Sequence, residues 1–372
     1  MSKILKTKLL QQNDELIYTK GVYRSFLYNM KKHTEVTIYD LARKLNLATS
    51  TISRALNGHY SISQPTIDKV KKTATVMGYR PNNLAASLRN KKTKTIGVLV
   101  PTIAQPFLSS LISGVERTAQ EIGYNVVIMQ SHDSYEEELN LIKSLYSSRV
   151  SGVICCLAME TKNADHFKIF ADNNTPMVFV DRVPKLANTY RVMIDNYEAG
   201  YKATKHLIDQ GCQRIAHITR ASEFGNIYNE RKRGYTEALK DHGLEIDNKL
   251  IVNLNSLSYE ESEIETNRLF DLPNPPDGIF AAGDTMAIHA IQCAKKRGIK
   301  IPEELAIIGF NNDPNSKIIE PNLSTISQPA EKMGQASAEI ILKNLEQPIN
   351  QGVKEITFFN TEVLVRDSSK RK

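Results

Sequence analysis

From Thr95 onward the sequence alternates short apolar runs with stretches of helical spacing, and this alternation limits the fold more than any other feature. Nine runs read as strands, at residues 96–100, 126–130, 152–157, 177–181, 192–195, 214–219, 250–254, 278–282 and 305–310. Seven stretches between and after them read as amphipathic helices, at residues 106–123, 135–148, 197–210, 230–243, 259–270, 284–297 and 331–345. Strands that are apolar throughout are covered on both faces, which implies parallel sheets with helices on each side. There are too many for one compact sheet, and the series divides near Asp195. Two doubly wound subdomains in tandem follow, with ligands expected at the C-terminal ends of the strands. The residues there are 102–107, 131–134, Asp181 and Arg182, Asp195 and Asn196, 220–224, Gly283 and Asp284, and 311–313. Several are charged or carboxamide residues, apt for hydroxyl-rich or zwitterionic small molecules. Asp284 and Asn196, each opening a helix, read as N-caps.

The first 94 residues differ in texture and in charge. They hold 18 Lys and Arg against 5 Asp and Glu, a net +13, whereas the remaining residues hold 30 against 36, a net −6. One end therefore suits a polyanion and the rest does not. Within that end, residues 36–57 form two amphipathic segments joined by a short turn. Ile38, Leu41, Ala42 and Leu45 share one helix face, Thr37 stands as N-cap with Asp40 three residues on, and Asn46 supplies the left-handed turn. The second segment buries Ile52, Ala55 and Leu56 and presents Thr49, Ser50, Thr51, Ser53, Arg54 and Asn57. Short donors and acceptors with one cation fit phosphate oxygens and major-groove base edges, so the layout is that of a helix-turn-helix. A plain helical hairpin with a solvated outer face is the alternative at this point. A third helix carries Ile67, Val70, Ala74 and Met77 and stops at Gly78. After Pro81 a single short helix, residues 84–89, has an apolar face of Leu84, Ala85 and Leu88 with no neighbour to cover it, and a helix that short forms only when something buries it.

With 372 residues, 41% of them hydrophobic, the chain is long enough for two or three domains with their own cores. No apolar run is long enough to span a membrane, and the N-terminal stretch lacks a signal-peptide core, so a cytoplasmic, nucleoid-associated protein is expected. Residues 1–29 read as a poorly ordered extension or as the product of a start codon upstream of Met30. Cys155, Cys156, Cys212 and Cys293 have neither metal-ligand nor disulfide-framework spacing and read as reduced, mostly buried thiols; no metal and no cofactor is expected.

From residue 36 to residue 366 the chain resembles the lactose-repressor/galactose-repressor (LacI/GalR) family of bacterial transcription regulators. The motifs are VTIYDLA with STISRALN, GYRPNNLAASL, IGVLVP with QPF, VSGVI, DNYEAGYKAT, ERKRGYTEAL, FAAGDTMAIHA, IIGFNND and PNLSTISQP, all in family order. The resemblance implies an all-α helix-turn-helix domain (30–81), a hinge helix and linker (82–94), and an α/β core of the periplasmic-binding-protein type. The core would comprise an N-subdomain (95–194 with 327–356) and a C-subdomain (195–326 with 357–368), joined by crossings near Asp195, near 325–328 and near 356–359. It implies a homodimer on double-stranded operator DNA. Thr49, Ser50 and Arg54 would read bases, Thr51, Ser53, Asn57, Thr37 and Tyr39 would hold the backbone, and Asn82, Ala85 and Leu88 would enter the minor groove from the hinge, with Leu88 as wedge. It also implies a small-molecule effector, a sugar first, with a nucleoside or a phosphorylated sugar as alternatives, bound by Gln105, Phe107, Asp133, Asp181, Arg231, Gly283 and Asn311, with Arg231 as anchor. Gly283 and Asn311 depart from the family pattern, the first lacking a polar side chain and the second replacing a frequent acid. The C-terminal RDSSKRK carries no leucine heptads, so a dimer is expected, not a tetramer.

A solute-binding protein of the transport type would share the two-subdomain core; residues 30–94 and the missing signal sequence count against it. An enzyme is disfavoured because no G-x-G-x-x-G follows a strand and no G-x-S-x-G occurs.

Overall fold

The computed structural model describes residues 36–79, 93–184, 189–221, 227–346 and 355–371. The extension 1–29, most of the hinge region and its Asn82, Ala85 and Leu88 lie outside the described residues. The chain divides into two compact units, the first ending at Ala86.

In the first unit, α1 (Ile38–Leu45), α2 (Thr49–Leu56) and α3 (Gln64–Met77) enclose a core of Leu41, Ile52, Ala55, Ile67, Val70 and Ala74. Helix α1 starts at Thr37 because one carboxylate oxygen of Asp40 accepts both the Thr37 amide, at 2.9 Å, and its hydroxyl, at 2.7 Å. It ends because Asn46 adopts φ 50°, which turns the Leu47 amide back onto the Ala42 carbonyl at 3.1 Å. Gly78, at φ 69°, ends α3 in the same manner.

The second unit holds two six-stranded sheets. The first contains β1 (Thr95–Val100), β2 (Asn125–Gln130), β3 (Gly152–Cys155), β4 (Met177–Val180), β5 (Tyr190–Ile194) and β11 (Ile356–Phe359), in the order β11-β5-β4-β3-β1-β2 and wholly parallel. The second contains β6 (Ile215–Arg220), β7 (Ile251–Leu254), β8 (Gly278–Ala281), β9 (Ala306–Asn311), β10 (Ser324–Ser327) and β12 (Glu362–Leu364), in the order β12-β10-β9-β8-β6-β7. Only β12, which returns from the first sheet, runs antiparallel to its neighbour. The first sheet is flanked by α4 (Pro106–Glu121), α5 (Tyr135–Ser147), α6 (Lys168–Asp172) and α11 (Ala330–Glu346). The second is flanked by α7 (Asn196–Asp209), α8 (Ile227–Asp241), α9 (Tyr259–Phe270) and α10 (Asp284–Lys296).

Each sheet has one helix pair in backbone contact, and glycine is the reason. A β-carbon on Gly114 of α4 would lie 2.1 Å from the Glu331 carbonyl of α11, and one on Gly334 would lie 2.0 Å from the Leu111 carbonyl. In the second subdomain a β-carbon on Gly200 of α7 would lie 2.3 Å from the Arg231 carbonyl of α8, and one on Gly234 would lie 2.1 Å from the Tyr197 carbonyl. Two halves built alike therefore use the same packing device.

Two subdomain boundaries need correction. Residues 357–359, expected in the second subdomain, belong to β11 and pair with β5 of the first sheet. Ser327, expected in the first, pairs with Asn311 of β9 in the second. The crossings thus fall at Asp195, at residues 328–329 and at residues 360–361, immediately beyond the last paired residue of each strand. Cys155, Cys156, Cys212 and Cys293 are buried and unpaired.

Candidate functional site

Two surfaces carry chemistry, one on each unit. On the first, α2 buries Ile52 and Ala55 and turns Ser50, Arg54 and Asn57 outward, with Thr49, Thr51 and Ser53 half-exposed. Its N-cap is Ala48, which has no side-chain acceptor, so no side chain caps the first amides of α2. Amides in that position suit a phosphate oxygen. Tyr39 is 68% exposed, and Thr37 is exposed with its hydroxyl engaged by Asp40. Asn57 donates from its side-chain amide to the Ser53 carbonyl of its own helix at 2.9 Å. The loop after α2 carries His59 stacked on Tyr60, whose side chain is 94% exposed.

On the second unit, the strand ends of the two sheets meet at charged side chains. Asp133 follows β2 in a left-handed conformation, φ 63°. One of its oxygens accepts Arg182, which follows β4, at 2.5 Å; the other accepts Arg220, the last residue of β6 in the second sheet, at 2.9 Å. Burial pushes the Asp133 carboxyl up, but the two guanidinium groups outweigh it and hold it below the ordinary carboxylate range. This ion pair links the subdomains directly.

Arg231 lies on the buried face of α8, 2% exposed. Its Nε donates to Asn196 Oδ1 at 2.9 Å and one terminal nitrogen donates to the Ala282 carbonyl at 2.8 Å, while the guanidinium carbon sits 3.5 Å from the centre of the Phe310 ring. Burial draws its pKa down to about 10, still a cation at neutral pH. The close approach at Gly200 and Gly234 is what brings α7, with Asn196, within reach of it.

Asp181, after β4, is buried at φ 61° and accepts the Gln328 side-chain amide at 2.9 Å, so it contacts the second crossing. Asn311 closes β9 at φ 111°, a conformation L-residues rarely adopt. Gly283 has an extended backbone, and a β-carbon there would meet only the Met286 methyl, at 3.1 Å. Gln105 is the half-buried N-cap of α4, and Phe107 is buried in the apolar cluster beneath it.

The reading of Asp284 and Asn196 as helix caps is corrected. The caps stand one residue earlier, at Gly283 and at Asp195, whose carboxylate accepts the Glu198 amide at 2.9 Å. Asn196 instead serves Arg231. Asp284 is fully buried and accepts the Asp313 amide at 2.7 Å and the Thr325 hydroxyl at 2.6 Å, which ties the segments following β8 and β9 to Thr325 of β10. Burial raises its pKa to about 8. Arg182 and Arg220, unassigned in the sequence reading beyond their place at strand ends, turn out to be central to the cleft. Their only sequence signal is that a charged residue ends an otherwise apolar strand.

Residues 37–82 match the model of bacterial regulatory proteins of the lacI family, and residues 204–369 match that of the periplasmic binding protein-like domain. The chain is 31% identical to the HTH-type transcriptional repressor CytR of Escherichia coli K12 over 342 residues, covering 91% of this chain and 98% of that one. Among solved structures it is similar to the transcriptional regulator CelR in complex with cellobiose, at 27% identity and TM-score 0.65 over 90% of this chain and 100% of that one. It shares its fold with the operator-bound lac repressor dimer, at 22% identity and TM-score 0.80 over 90% and 99% of the two chains. The helix-turn-helix unit separates this chain from solute-binding proteins that share the core, and the chain belongs to the lacI family of DNA-binding transcriptional regulators.

Proposed function

We propose that the chain acts as a homodimeric cytoplasmic repressor whose affinity for a partly palindromic operator is set by a small molecule between the core subdomains. The observation that carries the reading is Arg231: a buried cation held by Asn196 and Ala282 at the strand ends, where a ligand would contact both sheets. Evidence for a sugar or related effector is the cellobiose complex of a relative 27% identical, together with the hydrogen-bonding side chains of Asp133, Asp181 and Asn311. A second copy suits the edge strand β2, which leaves Val127 and Ile128 exposed.

On the DNA side, Thr49, Ser50 and Arg54 would meet base edges and Thr51, Ser53, Asn57, Thr37 and Tyr39 the backbone. Residues 84–89, with Asn82, Ala85 and Leu88, would form the hinge helix in the minor groove, its folding coupled to operator binding. An effector that alters the angle between subdomains then alters the spacing of the two hinges, and linkage requires operator and effector affinities to change each other by one factor. The test is a thermal-shift screen of sugars, nucleosides and their phosphates, followed by operator binding with each hit. A hit that shifts operator affinity in the wild type but not in Arg231→Ala supports the reading. Hits that bind without any effect on operator affinity contradict it.

A further inference from the structure

Three guanidinium groups and two carboxylates share the strand ends: Arg182, Arg220 and Arg231 against Asp133 and Asp181. Arg182 and Arg220 meet on the Asp133 carboxylate, Asp181 adjoins Arg182 in the chain, and Arg231 is held at the neighbouring strand ends by Asn196 and Ala282. Arg182 is 6% exposed and Arg220 11%. Both point a terminal nitrogen at the single carboxylate of Asp133, each has one further acceptor at 3.3 Å, the Leu157 carbonyl for Arg182 and the Asn255 carbonyl for Arg220, and the Nε of each is buried with no acceptor among the described residues. A buried cation normally has its N–H groups filled and its charge matched, so among the described residues the cluster is short of acceptors for the two Nε–H groups and of negative charge. Arg220 also borders a cavity of about 550 Å³ in which Arg233 is paired with Glu230 and Lys240 with Glu237, which leaves Lys232 as a lining cation with no ion pair among the described residues.

We propose that the effector carries a phosphomonoester, which seats on Arg220 and Arg182 in place of the Asp133 carboxylate; this rests on the cleft reading given above. A dianion with three free oxygens supplies what the cluster lacks, and guanidinium forks match phosphate geometry. Asp133 occupies the site as an internal surrogate: a carboxylate on a short strained loop, φ 63°, holding two arginines that a stronger acceptor can take. Because the Asp133–Arg220 bond joins the subdomains, its replacement transfers that link from the protein to the ligand. Phosphate arrival thereby becomes a change in what holds the cleft.

The test uses the full chain with inorganic phosphate, D-ribose 5-phosphate and D-ribose, measured by calorimetric titration against chloride at matched ionic strength. Inorganic phosphate and ribose 5-phosphate should bind saturably where chloride does not. Arg220→Gln should weaken both by tenfold or more, and Arg220→Lys, which keeps the charge but loses the fork, should fall between. Asp133→Asn should strengthen both several-fold, because the competing carboxylate is gone; a role confined to holding the fold predicts the opposite. Phosphate binding no better than chloride, or Asp133→Asn weakening it as Arg220→Gln does, overturns the proposal. The phosphate proposal fails separately from the wider reading: a neutral sugar that binds through Arg231 and ignores Arg220→Gln removes the phosphate but keeps the cleft.

Discussion

Replacing Gly200 by alanine tests how the second subdomain places Arg231. The new β-carbon would stand 2.3 Å from the Arg231 carbonyl oxygen and 2.8 Å from its Cα. A carbon–oxygen contact normally sits at about 3.3 Å or more, so α7 and α8 must separate by about 1 Å. The obstacle is backbone, and no rotamer change relieves it. The Arg231 Nε bond to Asn196 spans the two helices at 2.9 Å, and a shift of that size takes it beyond hydrogen-bonding range. Overpacking of this kind costs about 1–3 kcal/mol, and loss of a hydrogen bond from a buried cation about 1.5–3 kcal/mol. The helical preference of alanine over glycine offsets about 1 kcal/mol. The net loss, about 1.5–5 kcal/mol, corresponds to a melting temperature lower by roughly 3–10 °C for a unit of this size. Calorimetry reads the stability, and the Nε–H resonance of Arg231 reads the hydrogen bond. Gly114→Ala is the matched control, since its β-carbon would stand 2.1 Å from the Glu331 carbonyl in the other helix pair. It should lower the melting temperature comparably and leave the Arg231 signal in place. An unchanged melting temperature in Gly200→Ala, or equal loss of the Arg231 signal in both variants, would refute the argument.

Other outcomes follow from the same structure. Ile52→Ala removes a fully buried side chain from the small core of the first unit; at about 2–4 kcal/mol it should unfold that unit, abolish operator binding, and leave the thermal transition of the second unit unmoved in calorimetry. Asp284, raised to about 8, and Asp313, raised to about 6, bind protons in the folded state that the unfolded chain has already released. Their contribution is therefore full below about pH 4 and is lost as pH rises through 6 and 8, at up to about 1.4 kcal/mol per pH unit for each group titrating. Urea denaturation at pH 6, 7 and 8 should show that decline, and Asp284→Asn should flatten it between pH 7 and 8. Operator affinity should fall about 10³-fold or more between 50 and 200 mM salt if six or more phosphates are neutralised, and a flat response would contradict phosphate contacts by the basic end of the chain.

Regular structure was legible in the sequence because both of its periods are strong there. Apolar runs such as Ile96–Val100 and Ala306–Phe310 are buried throughout, and α9 starts and stops where Tyr259 and Phe270 were expected to bound it. Some short elements were not: α6 has five residues, and β10 and β11 have four each, too few to show a period. Within the cleft, residue type located the strand ends but not the partners. Asn196 and Asp284 were read from local position as caps, whereas their bonds run to Arg231, 35 residues away, and to Thr325, 41 residues away. The Asp133–Arg220 pair spans 87 residues and two sheets, a separation that no local pattern encodes. Gly200 and Gly234 stand inside the motifs DNYEAGYKAT and ERKRGYTEAL, but no local pattern shows what they are for, because their necessity arises only when two helices cross.

Genome-wide mapping of bound sites in the native host, for the wild type and for Arg54→Ala, bears most directly on the account. Arg54 is exposed on α2 and buries nothing, so its loss leaves the fold intact. The account predicts a small set of sites sharing one partly palindromic motif in the wild type, with that set lost or its motif relaxed in the variant. Sites without a shared motif, or a map unchanged by Arg54→Ala, would contradict it.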